Sequence, residues 1–296
     1  MSALPYVTMA NIDVQGYLRR LGTEHPGKPT IEGLFALHRA HVERVAYTSL
    51  QVHLGQRTTP DPDDSAARIV AGEAGYCYHL NGAFGALLEA LGYDVTMHRG
   101  RVWRAAPEGS GPGPISDEPN HLVLLVEAED TLYYCDAGLG DALHEPMLCV
   151  PGETTQGPYT YKLERTRFEN GASGWNFTHD PKADSFTGMV FEERIAALPD
   201  FVARHEWMET NPESGFVKNL DVYRRDATGV DHLRGCVLTR SDGTTATKRD
   251  ITDSEEWFDA PADVFGLRLP GVGDVAQERL WKRVWEQHVA WAAQQG

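Results

Sequence analysis

The chain has 296 residues, 41% of them apolar, enough for one large domain or two to three packed lobes around a sizeable core. Its 27 Lys and Arg stand against 43 Asp and Glu, and the resulting net charge of −16 repels phosphate backbones and anionic lipid, which argues against nucleic acid and membrane surfaces as partners. An anionic ligand would need a local cationic patch or a set of backbone amides that opposes this field.

Along the chain, "NIDVQGYLRRLG" and "TIEGLFALHRAHVERVAY" carry apolar residues at helical spacing, with Leu34, Leu37, His41 and Val45 on one stripe. Thr30 is a partial N-terminal signal, because Gly33 stands where a capping box wants Glu. His38 and His41 lie three apart, a spacing that suits a metal but lacks a third ligand in reach. Leu80, Phe84, Leu87, Leu88 and Leu91 predict a buried helix that stops at Gly92. Short β-like segments follow: "DVTMHRGRVW", "HLVLLVE", "TLYYCDAG", "YTYKLERTRF" and "WNFTH". Residues 105–120, rich in Gly, Pro and acidic side chains, read as a long loop, either plain surface or a flap ending at His121. Next come a helix over "FEERIAALPDFVARHEWM", strands in "CVLTRSDGTTATKRDI" with Ser-Asp-Gly as the turn, and a closing helix with Leu280, Val284, Trp285 and Val289 to one side. The class is α+β.

Cys77, Cys135, Cys149 and Cys236 form no C-x-x-C pair and no zinc-like spacing, so neither a disulfide framework nor a structural metal is expected. A start without a basic-then-apolar leader, and no apolar run of about 18 residues, fit a reducing cytoplasm. Cys77 falls in the first turn of its predicted helix, where backbone amides and the helix dipole favour the thiolate. A free Cys is also an ordinary small core residue. What separates the two readings is a His to take the proton and a group to orient it. If "HLVLLVE" and "TLYYCD" form a hairpin with its two-residue turn at Ala128 and Glu129, His121 lies directly opposite Asp136 on one face. A three-residue turn would put them on opposite faces. His79, two residues from the thiol, does not face it on a helix and reads as pocket wall or helix surface. No phosphate loop, Rossmann glycine pattern or G-x-S-x-G elbow is present.

At these residues the sequence resembles the arylamine N-acetyltransferase family. The likeness runs through "LHRAHVERVAYTSLQVHLG", "GYCYHLNGAF", "NHLVLLVE", "CDAGLG", "EPMLCVPGETTQGPYTYKL", "NPESGFVKNLDVYRR" and "DVFGLRLP" in the family's order. It implies three lobes sharing a papain-like cysteine catalytic core: a helical lobe over 1–92, a β-barrel over 93–190 and a C-terminal α/β lid over 191–296. It implies a Cys77, His121, Asp136 triad, acetyl-CoA or another acyl-CoA as cosubstrate, and a small amine or hydrazine acceptor. Asn120, Leu139 and Gly140 would contact the donor, and Tyr47, Leu139 and Phe216 would line the acceptor pocket. The chain departs from the family at Glu73-Ala74-Gly75 (usually Arg-Gly-Gly), Tyr47-Thr48-Ser49 (usually Phe-Glu-Asn), His79 (often Glu) and Leu139 (usually Phe). These changes keep acyl transfer and weaken the case for arylamines. The rival within the family is an amide synthase fed by an acyl carrier protein; a cysteine peptidase or a non-catalytic scaffold are the readings outside it.

Overall fold

The computed structural model describes residues 11–104, 118–183, 185–269 and 271–293. Among these, the chain up to Ala90 forms α1 (Val14–Leu21), α2 (Ile31–Arg44), the two-residue strand β1 (Tyr47–Thr48), α3 (Leu50–His53), α4 (Pro62–Val70) and α5 (Cys77–Ala90). Local chemistry sets the ends. Thr30 Oγ1 accepts from the Gly33 N–H at 3.1 Å, so the partial cap works without its Glu. Asp61 caps α4, with Pro62 at its first position. The expected stripe is buried: Leu34, Leu37 and His41 on α2, and Val45 just beyond its end. From Cys77 to Leu88, α5 is buried on every side, as befits a helix at the centre of a core. It stops where expected, with Gly92 at φ 92°.

Eight strands follow: β2 (Asp94–Trp103), β3 (His121–Ala128), β4 (Thr131–Cys135), β5 (Met147–Leu148), β6 (Gly152–Gln156), β7 (Tyr159–Arg167), β8 (Ser173–Thr178) and β9 (Gly188–Ile195). They pair antiparallel in the order β5-β4-β3-β2-β9-β8-β7-β6, a nearly closed barrel. Alternation assigns the two faces of β3: Leu122, Leu124 and Val126 join the core built around α5, while Val123 and Leu125 join Tyr161, Trp175, Phe177 and Phe191 inside the barrel. Both faces being buried, β3 reads as an unbroken apolar run.

Beyond the barrel lie α6 (Pro199–Thr210), α7 (Gly215–Lys218), β10 (Asp221–Asp226), β11 (Gly229–Arg234), β12 (Val237–Ser241), β13 (Ala246–Asp250), α8 (Ser254–Asp263) and α9 (Asp274–Ala292). A second antiparallel sheet runs β1-β10-β11-β12-β13, so the N-terminal region lends β1 to the C-terminal sheet.

Three expectations change. Residues 191–195 are strand, not the start of a helix: Met189 and Phe191 alternate into the barrel, and α6 begins only at Pro199. The boundary expected at 190 therefore falls inside β9. On α9, Leu280 and Val284 are buried, but Val289 is exposed, as are residues 290–293 at the same end of the helix. Most of the 105–120 loop, and with it the flap reading, lies outside the described residues. Among the described residues no helix is long and apolar enough to cross a membrane.

Candidate active site

Cys77 is the first residue of α5, directly after its N-cap Tyr76. His121 opens β3 opposite Gly100 of β2, where a Cβ would come within 3.2 Å of the His121 Cβ. Asp136 follows the last residue of β4. His121 Nε2 and Asp136 Oδ2 are 2.8 Å apart, which leaves Nδ1 for Cys77, the second charge that acts on the ring. All three residues are buried.

The hairpin that brings His121 and Asp136 together differs in register from the expected one. Its two-residue turn is Glu129-Asp130, with φ of 50° and 59°, and Ala128 pairs with Thr131 while Leu124 pairs with Cys135. The pairing is thus shifted by two residues. A shift of two keeps a side chain on its face, so His121 and Asp136 meet diagonally rather than directly across.

Burial alone would strip the charge from His121. The Asp136 carboxylate first, and then the Cys77 side chain, outweigh it and raise the imidazole to about 10. Asp136 is itself held on every side. Its Oδ1 accepts from Asn81 Nδ2 at 2.7 Å and from the Gly138 N–H at 3.0 Å, and its Oδ2 accepts from the Tyr134 hydroxyl at 3.0 Å. Its own N–H donates to His38 Nε2 at 3.3 Å, while His38 Nδ1 donates to the His144 carbonyl at 3.1 Å. Both nitrogens of His38 are therefore spent on backbone, and burial holds it neutral, down to about 4. Asn81 also donates to the Leu122 carbonyl and accepts from the Ala137 N–H, tying α5 to both strands of the hairpin. Gly138 is needed for closeness, since a Cβ there would lie 2.7 Å from the Cys77 Cα. Asn81, Tyr134 and Gly138 did not emerge from the sequence. Asn81 carried a readable signal at four residues from Cys77, the same helix face, and Tyr134 carried one at two residues from Asp136, the same strand face.

The other candidate positions surround this centre. The Asn120 carbonyl is 3.8 Å from Cys77 Sγ, but its side-chain amide exchanges hydrogen bonds with the Val102 backbone, at 2.7 and 2.9 Å. Leu139 is buried with the barrel core. Gly140, at φ 77°, sits so close to Tyr223 that a Cβ would meet its side chain at 3.2 Å. Tyr47 packs on Tyr223 and Phe216, with ring centroids 5.9 and 6.5 Å apart. Tyr47, Gly140, Tyr223 and Asp136 line one small cavity of about 10 Å³. Tyr223, which borders that cavity, also lines a cleft of about 970 Å³ between the barrel and the C-terminal sheet. Among the described residues, Arg104, Lys182, Lys218, Arg234 and Lys248 line it with one carboxylate, Asp141. This lining is richer in cations than the chain as a whole, with Lys218 paired to Glu213 at 2.6 Å and Arg234 at 3.9 Å from Asp221. At the replaced family positions, Glu73 pairs with Arg68 at 2.8 Å and the Thr48 N–H donates to the Gly75 carbonyl. His79 is neither pocket wall nor helix surface: it is buried in a separate polar cluster.

Comparison with known proteins places the chain in a family. The N-acetyltransferase family profile matches residues 30–273. The arylamine N-acetyltransferase of Mycolicibacterium smegmatis is 29% identical over 93% of this chain and 98% of its own. Proansamycin X synthase of Amycolatopsis mediterranei is 31% identical over 83% of this chain and 94% of its own. The structure of Mycobacterium marinum arylamine N-acetyltransferase in complex with CoA superposes with a TM-score of 0.79 at 26% identity, covering 92% of this chain and 98% of that one. With more than half its length matched by the family profile and the same architecture throughout, the chain belongs to the N-acetyltransferase family.

Proposed function

We propose that this chain is a cysteine-dependent N-acyltransferase that moves an acetyl group from acetyl-CoA through Cys77 to a small amine or hydrazine. The observation that carries this reading is the meeting of a helix-first cysteine with a buried, carboxylate-held imidazole. His121 Nδ1 takes the thiol proton, and Cys77 Sγ attacks the thioester carbonyl carbon. The carbon–sulfur bond to the donor breaks, and the departing sulfur recovers that proton from His121. In the second half the acceptor nitrogen attacks the acyl carbon and gives a proton to His121; the Cys77 carbon–sulfur bond breaks as the amide forms. Asp136 fixes the ring so that Nδ1 faces the sulfur throughout.

The cationic cleft supports the choice of donor. Arg104, Lys182, Lys218, Arg234 and Lys248 would receive the phosphates of CoA, and the cleft's contact with Tyr223 leads toward Cys77. The Asn120 carbonyl, Leu139 and Gly140 would flank the thioester end, and Tyr47, Leu139 and Phe216 would wall the acceptor.

A second reading has its own support. Likeness to proansamycin X synthase, together with an aliphatic Leu139, favours an amide synthase that takes a longer acyl chain from a carrier-protein thioester. The deciding experiment is the intact mass of the protein after exposure to acetyl-CoA without acceptor, beside Cys77→Ser. A gain of one acetyl group in the wild type alone supports the first reading. No gain from acetyl-CoA, but acylation by a longer carrier-bound thioester, supports the second.

A further inference from the structure

A second histidine cluster meets the start of α5. Tyr76, bonded to Cys77, is held at two points. Its N–H donates to His79 Nδ1 at 3.2 Å, and its hydroxyl lies 2.7 Å from His205 Nδ1. His79 Nε2 is 2.9 Å from Thr58 Oγ1, and His205 Nε2 is 3.0 Å from the Thr58 carbonyl. Thr58 in turn donates from its hydroxyl and its N–H to Glu209. The two histidines are buried, and the Glu209 side chain is only 4% exposed. Gly75 is shaped to this ring: a Cβ there would come within 2.5 Å of His79 Nδ1.

His79, His205 and Glu209 bring ligand atoms within 4.8 Å of one another, a donor set that would suit a metal. The backbone decides against that use. A peptide N–H can only donate, so His79 Nδ1 carries the lone pair, and the neutral ring then bears its proton on Nε2. A carbonyl can only accept, so His205 bears a proton on Nε2, and its Nδ1 meets the tyrosine hydroxyl. Each ring has then spent both nitrogens, and neither is free to ligate. Through His79 the hydrogen bonds run one way, from the Tyr76 N–H to the ring, from the ring to the Thr58 hydroxyl and on to the Glu209 carboxylate, so each bond polarises the next, while His205 ties the Tyr76 hydroxyl to the Thr58 carbonyl.

We infer that His79, His205, Thr58 and Glu209 are positioning residues for the nucleophile: they anchor Tyr76, and through it fix where Cys77 stands before His121. The inference rests on Cys77 being the reactive group, as proposed above. The same anchor reaches the acceptor side, because the Tyr76 ring packs on Phe216 with centroids 4.8 Å apart.

The test measures two rates at Cys77 by peptide mass: alkylation by iodoacetamide, which needs no donor site, and acetylation by acetyl-CoA. His79→Leu should slow both by roughly ten- to a hundredfold, the scale of a small misplacement. His79→Gln should stay within about threefold of wild type, because Gln at this helix position can accept from the N-cap N–H and donate onward. Thr58→Val, which removes the hydroxyl between His79 and Glu209 at constant shape and leaves the backbone N–H bond to Glu209, should follow His79→Leu and serves if that variant does not fold. Wild-type rates in His79→Leu or in Thr58→Val would overturn the inference, as would a Gln variant as slow as Leu at the same unfolding midpoint. A rise in that midpoint with added zinc, lost in His79→Leu, would overturn it in favour of a metal site. If acetyl-CoA fails to label the wild type while the alkylation pattern holds, the donor assignment falls and the positioning network stands.

Discussion

His79 belongs to the first turn of α5 and His121 faces that turn from β3; both are buried, yet their partners push their protonation in opposite directions. His121 has a carboxylate at 2.8 Å and is raised to about 10. His79 is held well below its ordinary value, first by burial and then by His205 and Arg68, and reaches its carboxylate only through the Thr58 hydroxyl. Burial disfavours the charged ring in both; the partners decide which side wins. A direct carboxylate makes a proton carrier, whereas a backbone N–H on one side and a hydroxyl on the other make a neutral strut.

The largest expected effect comes from removing that difference. Asp136→Asn keeps the shape of the triad but takes away the charge and invites the wrong tautomer, so turnover should fall by roughly 10⁴-fold while the unfolding transition survives. Turnover within tenfold of wild type would show that His121 does not need its carboxylate. Next is Asn81→Ala, which strips partners from Asp136 Oδ1, the Leu122 carbonyl and the Ala137 N–H in a buried site. Stability should drop by on the order of 3 kcal/mol in urea unfolding, and a loss below about 1 kcal/mol would mean that water replaces the amide.

The smallest effect concerns the neutral histidines. Burial lowers His38 to about 4 and His41 to about 3, so on unfolding each takes up a proton below pH 6.5 that the folded protein refuses. Depressed folded values mean that stability is whole above pH 6.5 and is lost as pH falls toward 4. Each histidine contributes a slope of up to about 1.4 kcal/mol per pH unit. His41→Gln should flatten the acid limb of the unfolding midpoint, and an unchanged limb would contradict the neutral assignment.

Much of this centre was legible in the chain, for identifiable reasons. The Cys77 helix start follows from apolar spacing and Gly92, and the pairing of His121 with Asp136 survived a register error because a slip of two residues preserves the face. The turn itself was hidden: Glu129 and Asp130 both adopt positive φ, a conformation that their identities signal only weakly. Residues 191–195 were misread because their pattern runs smoothly into that of α6, and only the barrel interior shows that Phe191 alternates. The His79 cluster was out of reach of local reasoning, since Thr58, His205 and Glu209 come from separate parts of the chain. A rule that i and i+2 side chains diverge correctly kept His79 from the thiol but said nothing of what it would meet.

The most direct measurement is the nitrogen NMR of the protein with ¹⁵N-labelled histidine, assigned with His79→Gln and His121→Gln and followed across pH. The expected result is an imidazolium at His121 that persists to about pH 10, beside a neutral His79 with its proton on Nε2 well below pH 6.5. A neutral His121 at pH 7, or a charged His79, would contradict the assignment of the two rings to proton carrier and strut.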